Sequence, residues 1–269
     1  MARSARVKDP CEGTACYHLM SRTNNKRFLF KDGELKTSLL GALKRAAAFS
    51  GIELMAYAIM DNHFHVICKV VRRREAVSAE VLIERVAAIK GRDAADALAR
   101  RWKRLAAKGD VALIEAEQTR LRDRMDDISE FIKTFKETFN IIFKRTCNYT
   151  GSIWSGRFCS TMIEDGKYMD YCRRYVYLNP VRAGIVRQAK DYRWAWCGGL
   201  SAGPVPDGAL MHRVAQVGGG TIFGSKAFVV RVVGEMQGKF RASGVEAHNA
   251  GGFGYSSHGW RLAGADAVA

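Results

Sequence analysis

The chain has 269 residues, 48% of them hydrophobic, and carries 43 Lys and Arg against 27 Asp and Glu, a formal net charge of +16. That length suits one large domain with appendages, and no apolar run approaches the roughly 18–20 residues of a membrane-spanning helix. So large a basic surplus points to a polyanionic partner, because each Lys or Arg that meets a phosphate releases condensed counterions. Nucleic acid is preferred over a membrane surface, since no segment is both strongly basic and amphipathic with a Trp/Leu face. The opening Met1-Ala2-Arg3-Ser4-Ala5-Arg6 lacks the apolar stretch of a signal peptide, and the expectation is a cytoplasmic, nucleoid-associated protein. Seven cysteines occur with no CxxC pair, which argues against a zinc ribbon and for small core thiols in a reducing compartment.

In chain order, residues 14–23 read as a first strand. A turn at Asp32-Gly33 leads into a helix over residues 34–50, with Leu35, Leu39, Leu43 and Ala46 at helical spacing and Gly51 to end it. Residues 52–58 and 63–70 read as two strands of a hairpin joined by Met60-Asp61-Asn62. Residues 78–124 are dense in Ala, Arg, Glu, Asp and Lys, as expected of two or three inserted helices with both charge signs on solvated faces. Asp127-Ile128-Ser129-Glu130 opens a further helix whose Phe131, Ile132, Phe135, Phe139 and Ile142 form a buried stripe. The loop Gly151–Phe158 is basic and aromatic, with Trp154 able to stack on a base or close the core, and Arg157 able to meet a phosphate. A strand over residues 158–163 follows, then a helix capped by Asp165 that runs to about Leu178 and is ended by Pro180. Beyond Trp196 the periodicity fades into glycine-rich sequence, which reads as partly disordered.

With the insertion set aside, this order is β-α-β-β-α-β. The expected fold is α+β: a ferredoxin-like antiparallel sheet with helices on one face, a helical insertion over about residues 72–126, and a C-terminal extension over residues 197–269. The functional domain then spans residues 14–196.

His63-Phe64-His65 is the most telling local pattern: two of the six histidines stand two apart inside a strand-like run. Residues i and i+2 of a strand share a face about 6–7 Å apart. Two imidazoles so placed can grip one divalent ion while Phe64 and Val66 anchor the other face in a core. Downstream, Tyr168, Tyr171, Tyr175 and Asn179 fall three or four apart and share one stripe of a helix, with Tyr177 turned away. A tyrosine hydroxyl beside a divalent ion and a phosphate can attack phosphorus and form a covalent ester. A packed aromatic stripe gives the same spacing, which does not choose between Tyr171 and Tyr175.

Tyr17-His18-Leu19-Met20-Ser21-Arg22, His63-Phe64-His65, Trp154-Ser155-Gly156-Arg157-Phe158 and the run from Tyr175 through Asn179-Pro180 to Gly184 resemble, in this order, the REP-associated tyrosine transposases. These belong to the single-tyrosine HUH transposases of insertion sequences, and the resemblance covers residues 14–196. It implies an enzyme that cleaves and rejoins single-stranded DNA at hairpin-forming repeats through a 5′-phosphotyrosine, with Mg²⁺ or Mn²⁺ as cofactor. His63 and His65 would bind the metal, and Tyr175, four residues before the Asn-Pro, would be the nucleophile. Asn179, one turn later, would complete the metal site; its carbonyl oxygen suits a hard cation. Arg157, Arg173, Arg174 and Arg182, with Trp154, are the candidate DNA contacts. The partner is single-stranded or hairpin DNA, met by a monomer or a homodimer. A domesticated, non-catalytic hairpin-binding protein is the alternative, but such a protein has no chemical need for both histidines and the tyrosine. An RNA-binding ferredoxin-like domain would instead want exposed aromatics on its central strands.

Overall fold

The computed structural model describes residues 13–72, 76–199, 214–217, 220–225 and 227–232. The strands β1 (Gly13–Arg22), β2 (Glu53–Ile59), β3 (His63–Arg72) and β4 (Cys159–Ile163) form the antiparallel order β2-β3-β1-β4 of a ferredoxin-like sheet. Between β1 and β2 lies α1 (Gly33–Ser50), and α5 (Ile128–Cys147) leads to β4. Aspartates cap both helices, at Asp127 as the sequence predicts and at Asp32 where it predicts only a turn. Asp32 accepts from the N–H groups of Glu34 and Leu35 at 2.8 Å, and Asp127 accepts from those of Ser129 and Glu130 at 2.7 and 3.1 Å. Gly51 ends α1 at φ 69°, a left-handed turn that suits glycine.

The pleat sorts β3 into two faces. Phe64, Val66, Cys68 and Val70 join one core with Leu39 and Leu43 of α1 and the Phe131, Ile132, Phe135, Phe139 and Phe143 stripe of α5. Burying each of these large side chains stabilises the fold by roughly 1.5–3 kcal/mol. On the second face Ile67 of β3, Cys16 of β1 and Ala56 and Ala58 of β2 pack against Tyr168, Tyr171, Cys172 and Val176 of α6 (Lys167–Tyr177). Two helices therefore lie on one face, as the β-α-β-β-α-β order expects, and α6 adds a layer on the other. It starts two residues after Asp165, whose carboxylate instead accepts from the Gly166 N–H. Nor does Pro180 end the helical path. Leu178 is a pivot into a short α7 (Asn179–Arg182), where the proline occupies the first turn and lacks only an N–H that would have no helical partner.

The insertion comprises α2 (Ala79–Lys90), α3 (Arg92–Ala107) and α4 (Val111–Arg122), with a separate small core of Leu82, Val86, Ala95, Trp102 and Met125 against Phe49 of α1. Its charges meet on solvated faces, as in Arg101–Glu117 at 2.6 Å and Arg122–Glu115 at 2.7 Å. From residue 195 the sheet continues. The short β5 (Ala195–Trp196) pairs with β2, while β6 (Val214–Val217) and β7 (Gly220–Phe223) pair with each other, and β7 runs parallel to β4. Much of the stretch expected to be disordered, residues 200–213 and 233–269, lies outside the described residues.

Trp154 belongs to the core, which corrects its assignment as a base-stacking residue. Its ring centroid lies 5.5 Å from Phe64 and 5.6 Å from Phe30, its Nε1–H donates to Asn140 Oδ1 at 2.8 Å, and the residue is 8% exposed. No ring face is open for a base. Lys36 of α1, buried, pairs with Asp61 of the β2–β3 turn at 2.6 Å, with the Trp194 ring 4.8 Å from its Nζ. This fastens the turn from which His63 starts.

Two predictions test this packing. Trp154→Ala should lower the unfolding free energy by about 3–5 kcal/mol, as truncation of a buried aromatic does; a loss under 1 kcal/mol in urea denaturation would return the ring to the surface. Lys36→Met leaves the Asp61 carboxylate without its cation and should cost about 2 kcal/mol, less than a fully buried pair because Asp61 keeps some solvent. An unchanged urea midpoint would show that the pair does not hold the turn.

Candidate active site

The site is built on the second face of the central strands. In the β1–β3 register Arg22 stands opposite His63, Met20 opposite His65 and His18 opposite Ile67, so Arg22, Met20 and His18 share the histidine face. The His63 and His65 ring centroids are 5.0 Å apart. Each ring has its Nδ1 engaged. His63 Nδ1 lies 2.6 Å from Asn62 Oδ1, and the Asn62 amide is oriented by its Nδ2–H donating to the Lys26 carbonyl at 3.0 Å. Since an amide oxygen only accepts, His63 carries its proton on Nδ1 and keeps a lone pair on Nε2. His65 Nδ1 lies 2.8 Å from His18 Nε2, and both residues are buried.

Burial holds all three imidazoles in the neutral form. It pushes His18 down to about 4 and, with a contribution from the Arg22 charge, His63 down to about 4. His65 falls well below the ordinary histidine range, through burial first and then the neighbouring His18, His63, Arg22 and Arg182. A neutral imidazole is the form that ligates a metal.

Helix α6 delivers the tyrosines. Tyr168 and Tyr171 are buried, with ring centroids 5.1 and 6.0 Å from that of Phe223 of β7. Tyr175, half-buried, comes edge-on to His65 at 6.1 Å and to His18 at 6.4 Å. The stripe is thus a packed stripe for its first two members and a site residue at its third. Tyr177 packs at the margin of the same core, and burial raises its pKa above the usual tyrosine value. One turn beyond Tyr175, Asn179 donates through Nδ2 to the Tyr175 carbonyl at 3.0 Å, which keeps its Oδ1 as an acceptor.

Neutral imidazole nitrogens and an amide oxygen are donors of the kind that suits a divalent ion such as Mg²⁺ or Mn²⁺, with water completing the shell. Among the described residues no group of three or more His, Cys, Asp or Glu side chains is placed to hold a metal. His63, His65 and Asn179 are the residues that fit.

The arginines divide. Arg182 is exposed, with its guanidinium 4.8 Å from the Tyr175 ring centre. Arg157 is exposed and, with Arg22, Lys26, Ser155 and Cys159, lines a cleft of about 400 Å³ at the end of β1. Met20 and Arg22 carry that cleft onto the histidine face. Arg174 is half-buried on α6. Arg173 is corrected from DNA contact to structural tie: its Nη2 donates to the carbonyls of Cys197 and Gly198 at 2.7 and 3.0 Å, and its side chain is 12% exposed. Sequence reasoning gave no role to His18, Asn62 or Arg22. The alternation of β1 puts His18 and Arg22 on one face, but which face meets the histidines depends on a register between strands about forty residues apart.

The segment 13–110 matches the family model described as "Transposase IS200 like". A search of curated proteins finds no match. A solved structure, "Structure of the REP associates tyrosine transposase bound to a REP hairpin", aligns with 77% of this chain and 93% of its own, at 17% identity and a TM-score of 0.44. The family match stops before Tyr175 and Asn179, but it includes β1, β2, β3 and both histidines of the pair. Over that segment the chain is similar to the IS200-like transposases.

Proposed function

We propose that the protein cleaves and rejoins single-stranded DNA beside hairpins, with Tyr175 as nucleophile. The observation that carries this reading is the convergence of Tyr175 on the buried histidines, edge-on to His65 at 6.1 Å, with Arg182 over its ring. A divalent ion held by His63, His65 and Asn179 would supply polarisation of the scissile phosphate and charge stabilisation in the displacement. The chain's own residues do the rest. The Tyr175 oxygen, having lost its proton, attacks phosphorus, a P–O bond to Tyr175 forms and the P–O3′ bond breaks. The leaving oxygen takes up a proton as a free 3′-hydroxyl, and the 5′ end stays on the enzyme as a phosphotyrosine. A second 3′-hydroxyl reverses the exchange, so the bond energy is conserved and no nucleotide triphosphate is needed. Arg182, beside the tyrosine, is placed to meet the phosphate, and the Arg22–Lys26–Arg157 cleft supports a flanking stretch of backbone. Binding of DNA is supported by the family match over residues 13–110 together with the +16 charge.

Two experiments test the reading. With labelled single-stranded DNA and Mn²⁺, wild-type protein and Tyr171→Phe should form a covalent adduct visible on denaturing gels. Tyr175→Phe, His63→Ala and His65→Ala should lose it by at least two orders of magnitude while still binding the hairpin. An adduct surviving in Tyr175→Phe, or mapped by peptide sequencing to Tyr171 or Tyr177, defeats the assignment. Separately, DNA affinity should fall steeply with salt. Arg157→Ala should reduce the slope of log K against log[salt] by about 1, and Arg173→Ala should leave it unchanged. Equal slopes for wild type and Arg157→Ala would remove the cleft from the DNA path.

A further inference from the structure

Among the described residues, His18 is a buried histidine with no role in the reaction described so far. It lies on β1, one strand away from the pair, and meets His65 diagonally across the β1–β3 ladder. The two rings are stacked, with centroids 5.1 Å apart and planes inclined at 25°, and 2.8 Å separates His18 Nε2 from His65 Nδ1. At that separation one proton lies between the two nitrogens, and there are two ways to place it. If His65 donates from Nδ1, its Nε2 keeps a lone pair; if His18 donates, the neutral His65 carries its proton on Nε2 and cannot ligate. His63 faces no such choice, because Asn62 Oδ1 only accepts and is itself oriented by the Lys26 carbonyl.

We propose that His18 is a positioning residue: as acceptor through Nε2 it fixes His65 in the Nδ1–H tautomer and aims the His65 Nε2 lone pair at the divalent ion. This rests on the reading of His63 and His65 as metal ligands. The two ligands are then backed unequally, His63 by an amide and His65 by an imidazole. Groups that orient a ligating histidine through its second nitrogen commonly set metal affinity by 10–100-fold. His18 also packs edge-on to Tyr175 at 6.4 Å, so a test must separate its hydrogen bond from its bulk.

Full-length wild type, His18→Leu, His18→Met, His18→Gln and His65→Ala are titrated with Mn²⁺ and the free ion is followed by electron paramagnetic resonance, with no DNA present. His18→Leu should bind Mn²⁺ about 10–100-fold more weakly than wild type. His18→Gln, whose Oε1 can accept where Nε2 did, should recover most of the loss. His18→Met, unbranched and without a comparable acceptor, replaces Leu in the comparison if Leu does not fold. Nitrogen NMR of the metal-free wild type should find His65 protonated on Nδ1. Wild-type affinity in both His18→Leu and His18→Met, or a His65 protonated on Nε2, overturns the proposal. Wild type that binds no Mn²⁺, or His65→Ala that binds it as wild type does, defeats the metal reading itself and the proposal with it. Weakened binding in His65→Ala alone defeats only the role of His18.

Discussion

Antiparallel pairing of β1 with β3, from Gly13 opposite Arg72 to Arg22 opposite His63, sets what every other element can do. Side chains on a strand alternate, so a slip of one residue in this ladder would reverse every side chain of one strand relative to its partner. In the observed register Phe64 and Val66 go to the α1–α5 side, while His65, His18 and Arg22 gather on the other. The large aromatics of α5 enforce this choice, since a buried phenylalanine stabilises one orientation of β3 and an unpaired buried imidazole penalises the other. The site is therefore held by the core beneath it as well as by its own contacts.

The second face carries the opposite balance of forces. Three imidazoles taken from water would be costly alone, and the fold offsets that cost by pairing them, His65 with His18 and His63 with Asn62. Helix α6 covers the remainder with Val176, Cys172 and the two inner tyrosines. The same packing that excludes water from the histidines leaves Tyr175 at the open end of the helix, half-buried beside Arg182. Burial and access are arranged along one helix at a spacing of one turn.

Much of this was legible in the residues. The alternation of His63, Phe64, His65 and Val66 marks a two-faced strand, the phenylalanine spacing of α5 marks its buried side, and Gly51 and Asp127 mark helix ends through local chemistry alone. Where the reading failed, the deciding contacts were distant in sequence. The pairing of His18 with His65 depends on a strand register, and Trp154 lost its freedom to four aromatic partners on three different segments. Arg173 looked like any basic residue on a helix until two backbone carbonyls of the segment after β5 were brought to it. Local pattern says which face a side chain takes; only the folded chain says what stands opposite.

The parallel pairing of β7 with β4 has a consequence for the order in which the molecule is assembled. All four strands of the ferredoxin-like sheet, and the three histidines with them, are complete by residue 163 of the chain. Phe223, against which Tyr168 and Tyr171 of α6 pack, lies sixty residues later. On a ribosome, where domains form from the N-terminal side as they emerge, the histidine surface can close over its core before the helix that carries Tyr175 has its full seat. A nascent chain so built would bring Tyr175 to its seat beside the histidines only after Phe223 had emerged.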